Sequence, residues 1–186
     1  MCLIIFAYCT HPRYRLIAAA NRDEFFDRPT SPAQFWDDAP HVLAGRDLKE
    51  GGTWMGVTRQ GKFAAITNYR DPASVKVGAP SRGRLVSDFL IGSESAAEYM
   101  DRVSRQGHLY NGFNLICGDR SDLWVYSNRG RLHKLPPGIY GLSNALLDSP
   151  WPKVLKGKRV MKSVLPKKGT DLEKILFALL NDRKPA

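Results

Sequence analysis

Cys2-Leu3-Ile4-Ile5-Phe6-Ala7-Tyr8, then Tyr14-Arg15-Leu16-Ile17-Ala18-Ala19-Ala20, and directly after it Asn21-Arg22-Asp23-Glu24: this opening stretch decides the fold. Two apolar runs of strand length, separated by a turn containing Pro12, predict a buried hairpin. Four polar residues then emerge together at a strand end, a place where sites are commonly assembled. A polar small-molecule site built mainly from the first seventy residues is therefore expected.

Working outward, Thr53–Thr58 and Lys62–Asn68 read as strands joined by Arg59-Gln60-Gly61, with glycine where a positive φ is needed. Gly83–Ile91 and Ser95–Val103 read as helices, the second opened by a Ser95/Glu98 capping box. Strands return at Phe113–Cys117 and Leu123–Ser127, with shorter runs near Leu132 and Ile139. Two more helices follow, Pro152–Leu165 and Leu172–Leu180, the latter with a Thr170/Glu173 capping box and Leu172, Ile175, Leu176 and Leu179 on one face. Strands, helices, strands, helices in blocks favour an α+β class with stacked antiparallel sheets over a doubly wound parallel sheet.

At 186 residues the chain fits a single domain, 1–186, able to bury a core without disulfides. Its three cysteines, Cys2, Cys9 and Cys117, form no CxxC pair, which points to a reducing compartment, cytoplasm or organelle matrix, and to no structural zinc. No run reaches the roughly 18 to 20 apolar residues of a membrane span. Without a G-x-G-x-x-G or P-loop, no nucleotide cofactor is expected, nor any other cofactor. The net charge of +10 is concentrated in residues 151–186, where ten Lys or Arg face three acids. Lys153, Lys156, Lys158, Arg159, Lys162, Lys167 and Lys168 fall at helical spacing among apolar residues, so a solvated helix face is preferred to an anionic partner site. No nucleic-acid motif or aromatic interleaving supports a nucleic-acid partner. Oligomeric state is not legible.

Removal of Met1 would leave the Cys2 thiol and a free α-amine on one residue. Such an amine titrates near ~7.7 to 8.0 and a thiol near ~8.5, so nucleophile and base can come from the same residue at neutral pH. The alternative is that Cys2 is a small hydrophobe at the start of a buried strand. Asp23 can orient a terminal ammonium, and Arg22 can bind a carboxylate or phosphate or favour the thiolate; a structural ion-pair network with Arg28 is the competing reading. Gly51-Gly52-Thr53-Trp54 would let backbone N–H groups approach a ligand, with Trp54 as a stacking wall, or else form a simple turn beside a core tryptophan. Asn68 and Asn144 are amide donors suited to a developing oxyanion, or turn caps.

Met1-Cys2, Ala19-Ala20-Asn21-Arg22-Asp23-Glu24-Phe25, Arg28-Pro29, Gly51-Gly52-Thr53-Trp54-Met55-Gly56, Thr67-Asn68-Tyr69-Arg70, Tyr110-Asn111-Gly112-Phe113-Asn114 and Tyr140-Gly141-Leu142-Ser143-Asn144-Ala145, in that order, resemble the NRDE-containing, transport and Golgi organisation 2 family. That resemblance implies an N-terminal nucleophile hydrolase-like αββα sandwich, similar to the cysteine branch containing penicillin V acylase and bile-salt hydrolase. It implies Cys2 as nucleophile and base, Asp23 as its amine-orienting partner, and Asn68 and Asn144 as oxyanion or site-polar residues. Asn21, Arg22, Glu24, Trp54 and Arg70 would contact substrate. The chain departs from the amidase branch at Ala20, where an arginine stands three residues before the aspartate. Family members also continue with further strands beyond the last helix, so truncation or a sandwich lacking edge strands is expected.

Three functional readings follow. The first is hydrolysis of a small amide or acyl compound through Cys2. The second, drawn from the family's links to haem handling, lipid metabolism and secretory-pathway organisation, is a non-catalytic haem or lipid carrier using the same site. It would offer only the scattered His11, His41, His108 and His133 as axial ligands besides cysteine. The third is a basic module using 151–186 on anionic lipid or nucleic acid.

Overall fold

A computed structural model describes residues 2–25, 27–166 and 170–181. The chain gathers into two compact units, Met1–Asp23 with Pro136–Ala186, and Glu24–Leu135.

In the first unit, β1 (Leu3–Tyr8) and β2 (Leu16–Asn21) form the expected antiparallel hairpin, with Leu3 opposite Asn21 and Tyr8 opposite Leu16. The other flank of β1 pairs antiparallel with β10 (Gly138–Leu142), Ile4 facing Leu142, so the sheet order is β10-β1-β2. Side chains alternate across a strand, and Leu3, Ile5 and Ala7 join Ile17 and Ala19 on the face covered by α3 (Pro152–Val164) and α4 (Thr170–Leu180). Val154, Met161, Val164, Leu172 and Leu176 meet them there. Because Ile4 and Phe6 are also fully buried, β1 reads as one unbroken apolar run instead of an alternating one.

The second unit is a seven-stranded antiparallel meander in the order β3-β4-β5-β6-β7-β8-β9. Its strands are β3 (Thr30–Phe35), β4 (Val42–Asp47), β5 (Met55–Thr58), β6 (Phe63–Asn68), β7 (Phe113–Gly118), β8 (Leu123–Ser127) and β9 (Leu132–Lys134). One face, with Ala64, Ile66, Phe113, Leu115 and Cys117, packs on α1 (Gly83–Ile91) and α2 (Ala96–Gln106) through Val86, Phe89, Leu90, Tyr99 and Met100. The Ser95/Glu98 capping box forms as expected, and Gly61 takes φ 90° in the β5–β6 turn. At the end of α1, Lys62 Nζ donates to the carbonyls of Phe89 (3.0 Å), Gly92 (2.7 Å) and Glu94 (2.8 Å), satisfying acceptors that a helix C-terminus leaves open.

Three sequence readings need correction. β3 and β4 were not anticipated: Thr30-Ser-Pro-Ala-Gln-Phe35 is a largely exposed edge strand, interrupted by a bulge between Ser31 and Gln34 around Pro32. The basic helix face is not uniformly solvated, since Lys153, Lys156 and Lys158 are half-buried, whereas Arg159 and Lys162 are exposed; Lys167 and Lys168 lie outside the described residues, as does the side chain of Thr170. Finally, packing accounts for Gly51 and Gly52. Gly51 takes φ 73° in the β4–β5 connection, and a Cβ on Gly52 would lie 2.6 Å from the Gly83 carbonyl carbon at the start of α1. Backbone cannot yield as a side-chain tip can, so Gly52→Ala is expected to destabilise the second unit by about 1 to 3 kcal/mol, seen as a lowered urea midpoint; an unchanged midpoint would mean that α1 can shift freely.

Candidate active site

The hairpin register places the site. Leu3 pairs with Asn21, the last residue of β2, so Cys2 lies beside the chain leaving that strand, at Arg22 and Asp23. The Asp23 backbone N–H donates to Cys2 Sγ at 3.4 Å, and the thiol lies 3.9 Å from the Asp23 carbonyl oxygen. Twenty-one positions in sequence are thus closed to direct contact by one antiparallel turn. Cys2 itself is buried, only 7% exposed.

A second segment arrives from β10. Beyond Leu142, the hydroxyl of buried Ser143 donates to the Cys2 carbonyl at 2.6 Å and approaches Asn144 Oδ1 at 3.4 Å. A third comes from the first turn of α3, where Lys153 Nζ donates to the same Cys2 carbonyl at 3.2 Å and lies 5.2 Å from the Trp151 ring centroid. Burial pushes the Lys153 ammonium below the ordinary lysine value, while the charges of Cys2 and Asp23 oppose that shift. The Asp23 carboxyl is held below the usual carboxylate range, first by a hydrogen bond from the chain's terminal ammonium and by that ammonium's charge, with Lys153 adding to the effect against a small cost of burial.

Among the residues singled out from sequence, Cys2 and Asp23 are brought together, and half-buried Asn144 sits next to the Ser143 that contacts Cys2. Asn21 is engaged differently: its Nδ2 donates to the Leu180 carbonyl at 2.7 Å and ties β2 to the end of α4. Arg22 is half-buried beside Asp23. Glu24, Trp54, Asn68 and Arg70 belong to the second unit. There Glu24 accepts the Phe25 N–H at 3.1 Å and lies 4.0 Å from Arg28, which is held more tightly by Asp47 at 2.6 Å. Trp54 packs against the core under α1 and α2, and Asn68 ends β6 exposed, with Arg70 exposed two residues on.

Ser143 and Lys153 were missed as site residues. Serine is too common to stand out, but Lys153 carried a signal: a cation in the first turn of a helix opposes the helix dipole, and such a placement calls for a tertiary partner. The other thiols differ in kind. Cys9 is exposed at φ 49°, and Cys117 is fully buried, where desolvation pushes its thiol far up. His11 is engaged through Nδ1, which accepts the N–H groups of Arg13 (3.1 Å) and Tyr14 (3.2 Å). Among the described residues no group of three or more His, Cys, Asp or Glu side chains is arranged to hold a metal ion.

The Cys2 thiol thus contacts the Asp23 amide at the start of the first strand of an antiparallel sheet. The family profile described as Transport and Golgi organisation 2 matches residues 1–186. The chain belongs to that family. The Transport and Golgi organization protein 2 homologs of Bos taurus and Homo sapiens are 44% and 43% identical to it, each over 98% of this chain and 72% and 71% of their own lengths. Transport and Golgi organization protein 2 of Drosophila melanogaster is 30% identical over 97% of the chain and 70% of its own. A solved structure, the Caenorhabditis elegans N-acylethanolamine-hydrolyzing acid amidase ortholog, superposes with a TM-score of 0.66 over 97% of this chain and 86% of its own, at 14% identity. That likeness establishes the fold of this family member as the N-terminal nucleophile hydrolase fold, α+β with antiparallel sheets, as expected. None of its helices, among the described residues, is long and apolar enough to cross a membrane.

Proposed function

We propose that this family member is an N-terminal-cysteine hydrolase acting on a small amide or acyl compound. The observation that carries the reading is the contact of Cys2 Sγ with the Asp23 amide, beside a carboxylate that takes up a terminal ammonium. Removal of Met1 would make Cys2's own α-amine the chain's terminal ammonium, on the same residue as the thiol. In its neutral form that amine accepts the thiol proton as sulfur attacks the substrate carbonyl, and later returns the proton to the leaving group. Asp23 keeps the amine oriented, and Asn144, next to the Ser143 that contacts Cys2, supplies an amide donor for the oxyanion. The reading uses groups of the first unit only.

The same site supports a second reading, favoured by Ala20 standing where the amidase branch has arginine: the groups hold an acyl, lipid or haem ligand without cleaving it. Intact mass before and after brief exposure to iodoacetamide, with peptide mapping, separates the two. For the hydrolase, Met1 is absent and Cys2 is modified faster than Cys9 and Cys117. Retained Met1, or a Cys2 slower than the exposed Cys9, would leave the free-amine mechanism without its base or its nucleophile.

A further inference from the structure

The carbonyl of residue 2 is gripped from two sides by side chains of separate segments. Ser143 Oγ reaches it from the end of β10 at 2.6 Å, and Lys153 Nζ from α3 at 3.2 Å. The β1–β10 register starts at Ile4 opposite Leu142 and the β1–β2 register at Leu3 opposite Asn21, so Cys2 stands one residue beyond the last paired residue of β1. A chain end beyond its last paired residue frays unless something ties it down. Both ties carry a local cost. Ser143 is 3% exposed and Lys153 is half-buried in a helix first turn with no acidic residue, where the dipole disfavours a cation.

We propose that Lys153 is a positioning residue of the Cys2 site, acting with Ser143 to hold the residue-2 carbonyl and thereby keep the thiol on the Asp23 amide with a cation close by. This rests on the reading of Cys2 as the nucleophile. The two ties differ in one useful way: Ser143 is a neutral anchor, while Lys153 is an anchor that brings a positive charge onto the same residue's carbonyl. Among the described residues, the charged groups on the segments that contact Cys2 include Arg22 and Asp23 after β2 and Lys153 on α3, with half-buried Lys156 and Lys158 further along that helix. Asp148, after β10, is paired with Lys158 at 2.8 Å and accepts the Gly141 N–H.

The full chain and its Lys153→Met, Lys153→Arg and Ser143→Ala variants separate anchor from charge. The rate of iodoacetamide modification at Cys2 is followed against pH, with Cys9 as internal reference, alongside hydrogen exchange of segments 2–8 and 113–118. In Lys153→Met the pH profile at Cys2 moves upward by about half a pH unit or more, because a nearby cation favours the thiolate, and exchange in 2–8 quickens about tenfold. Lys153→Arg keeps the wild-type profile. Ser143→Ala quickens exchange in 2–8 and leaves the profile in place, and segment 113–118 is unchanged throughout. A Lys153→Met variant with the wild-type profile overturns the proposal, whether exchange quickens, as for a bare tether, or not. Should wild-type Cys2 react more slowly than Cys9, the nucleophile reading falls, and the exchange comparison alone decides whether the clamp exists.

Discussion

Cys2→Ala is expected to abolish hydrolysis of any amide or acyl substrate that the wild-type protein turns over, with a loss of about 10³-fold or more in rate. The substitution is clean for a physical reason. Alanine is as small as cysteine at position two, so removal of Met1 would proceed alike and would leave a free α-amine beside Asp23. The small buried side chain at residue 2 contributes little to the core in either form. What disappears is the sulfur that the Asp23 N–H contacts at 3.4 Å. A screen of small amides and acyl esters, run on wild type and variant together, reads the effect directly. Turnover preserved in the alanine variant would place the chemistry elsewhere, whereas ligand binding preserved with no turnover in either protein would favour the carrier.

Phe89→Ala is expected to have the largest effect on stability, about 3 to 5 kcal/mol. Phe89 is fully buried in the last turn of α1, with its ring centroid 5.1 Å from that of Tyr99 on α2 and Lys62 Nζ 4.4 Å from the centroid of its ring. Its truncation leaves a cavity where α1 meets both α2 and the seven-stranded sheet. It also strips Lys62 of the ring beside its three carbonyl acceptors, which disfavours a partly buried ammonium. Chemical denaturation followed by tryptophan fluorescence checks this, since Trp54 and Trp124 pack against the same core. A change below about 1 kcal/mol would mean that the helix layer collapses into the gap.

Legibility in the sequence followed burial. Strands apolar on both faces, such as β1 and β7, stand out as continuous runs, and α2 announces its start through Ser95 and Glu98. β3 hides because an exposed edge strand needs no apolar face and carries Pro32 and a bulge. For Gly52 the residue type was visible but its reason was not: close approach to Gly83 at the head of α1 involves a partner 31 positions away, and no local pattern encodes it.

For the site the division is similar. The pairing of Cys2 with Asp23 was within reach of sequence, because two adjacent apolar runs form a hairpin and a hairpin brings its far ends together. Ser143 and Lys153 are joined to Cys2 only by the return of the chain after the seven-stranded unit, 141 and 151 positions later. By itself, then, the sequence determined the hairpin, the family and the nucleophile candidate, all properties of short-range pattern and ordered motifs. Tertiary structure alone decided which hydroxyl and which ammonium hold that nucleophile's carbonyl, since a hydrogen bond depends on ångström-scale distance between groups whose separation along the chain carries no trace of it.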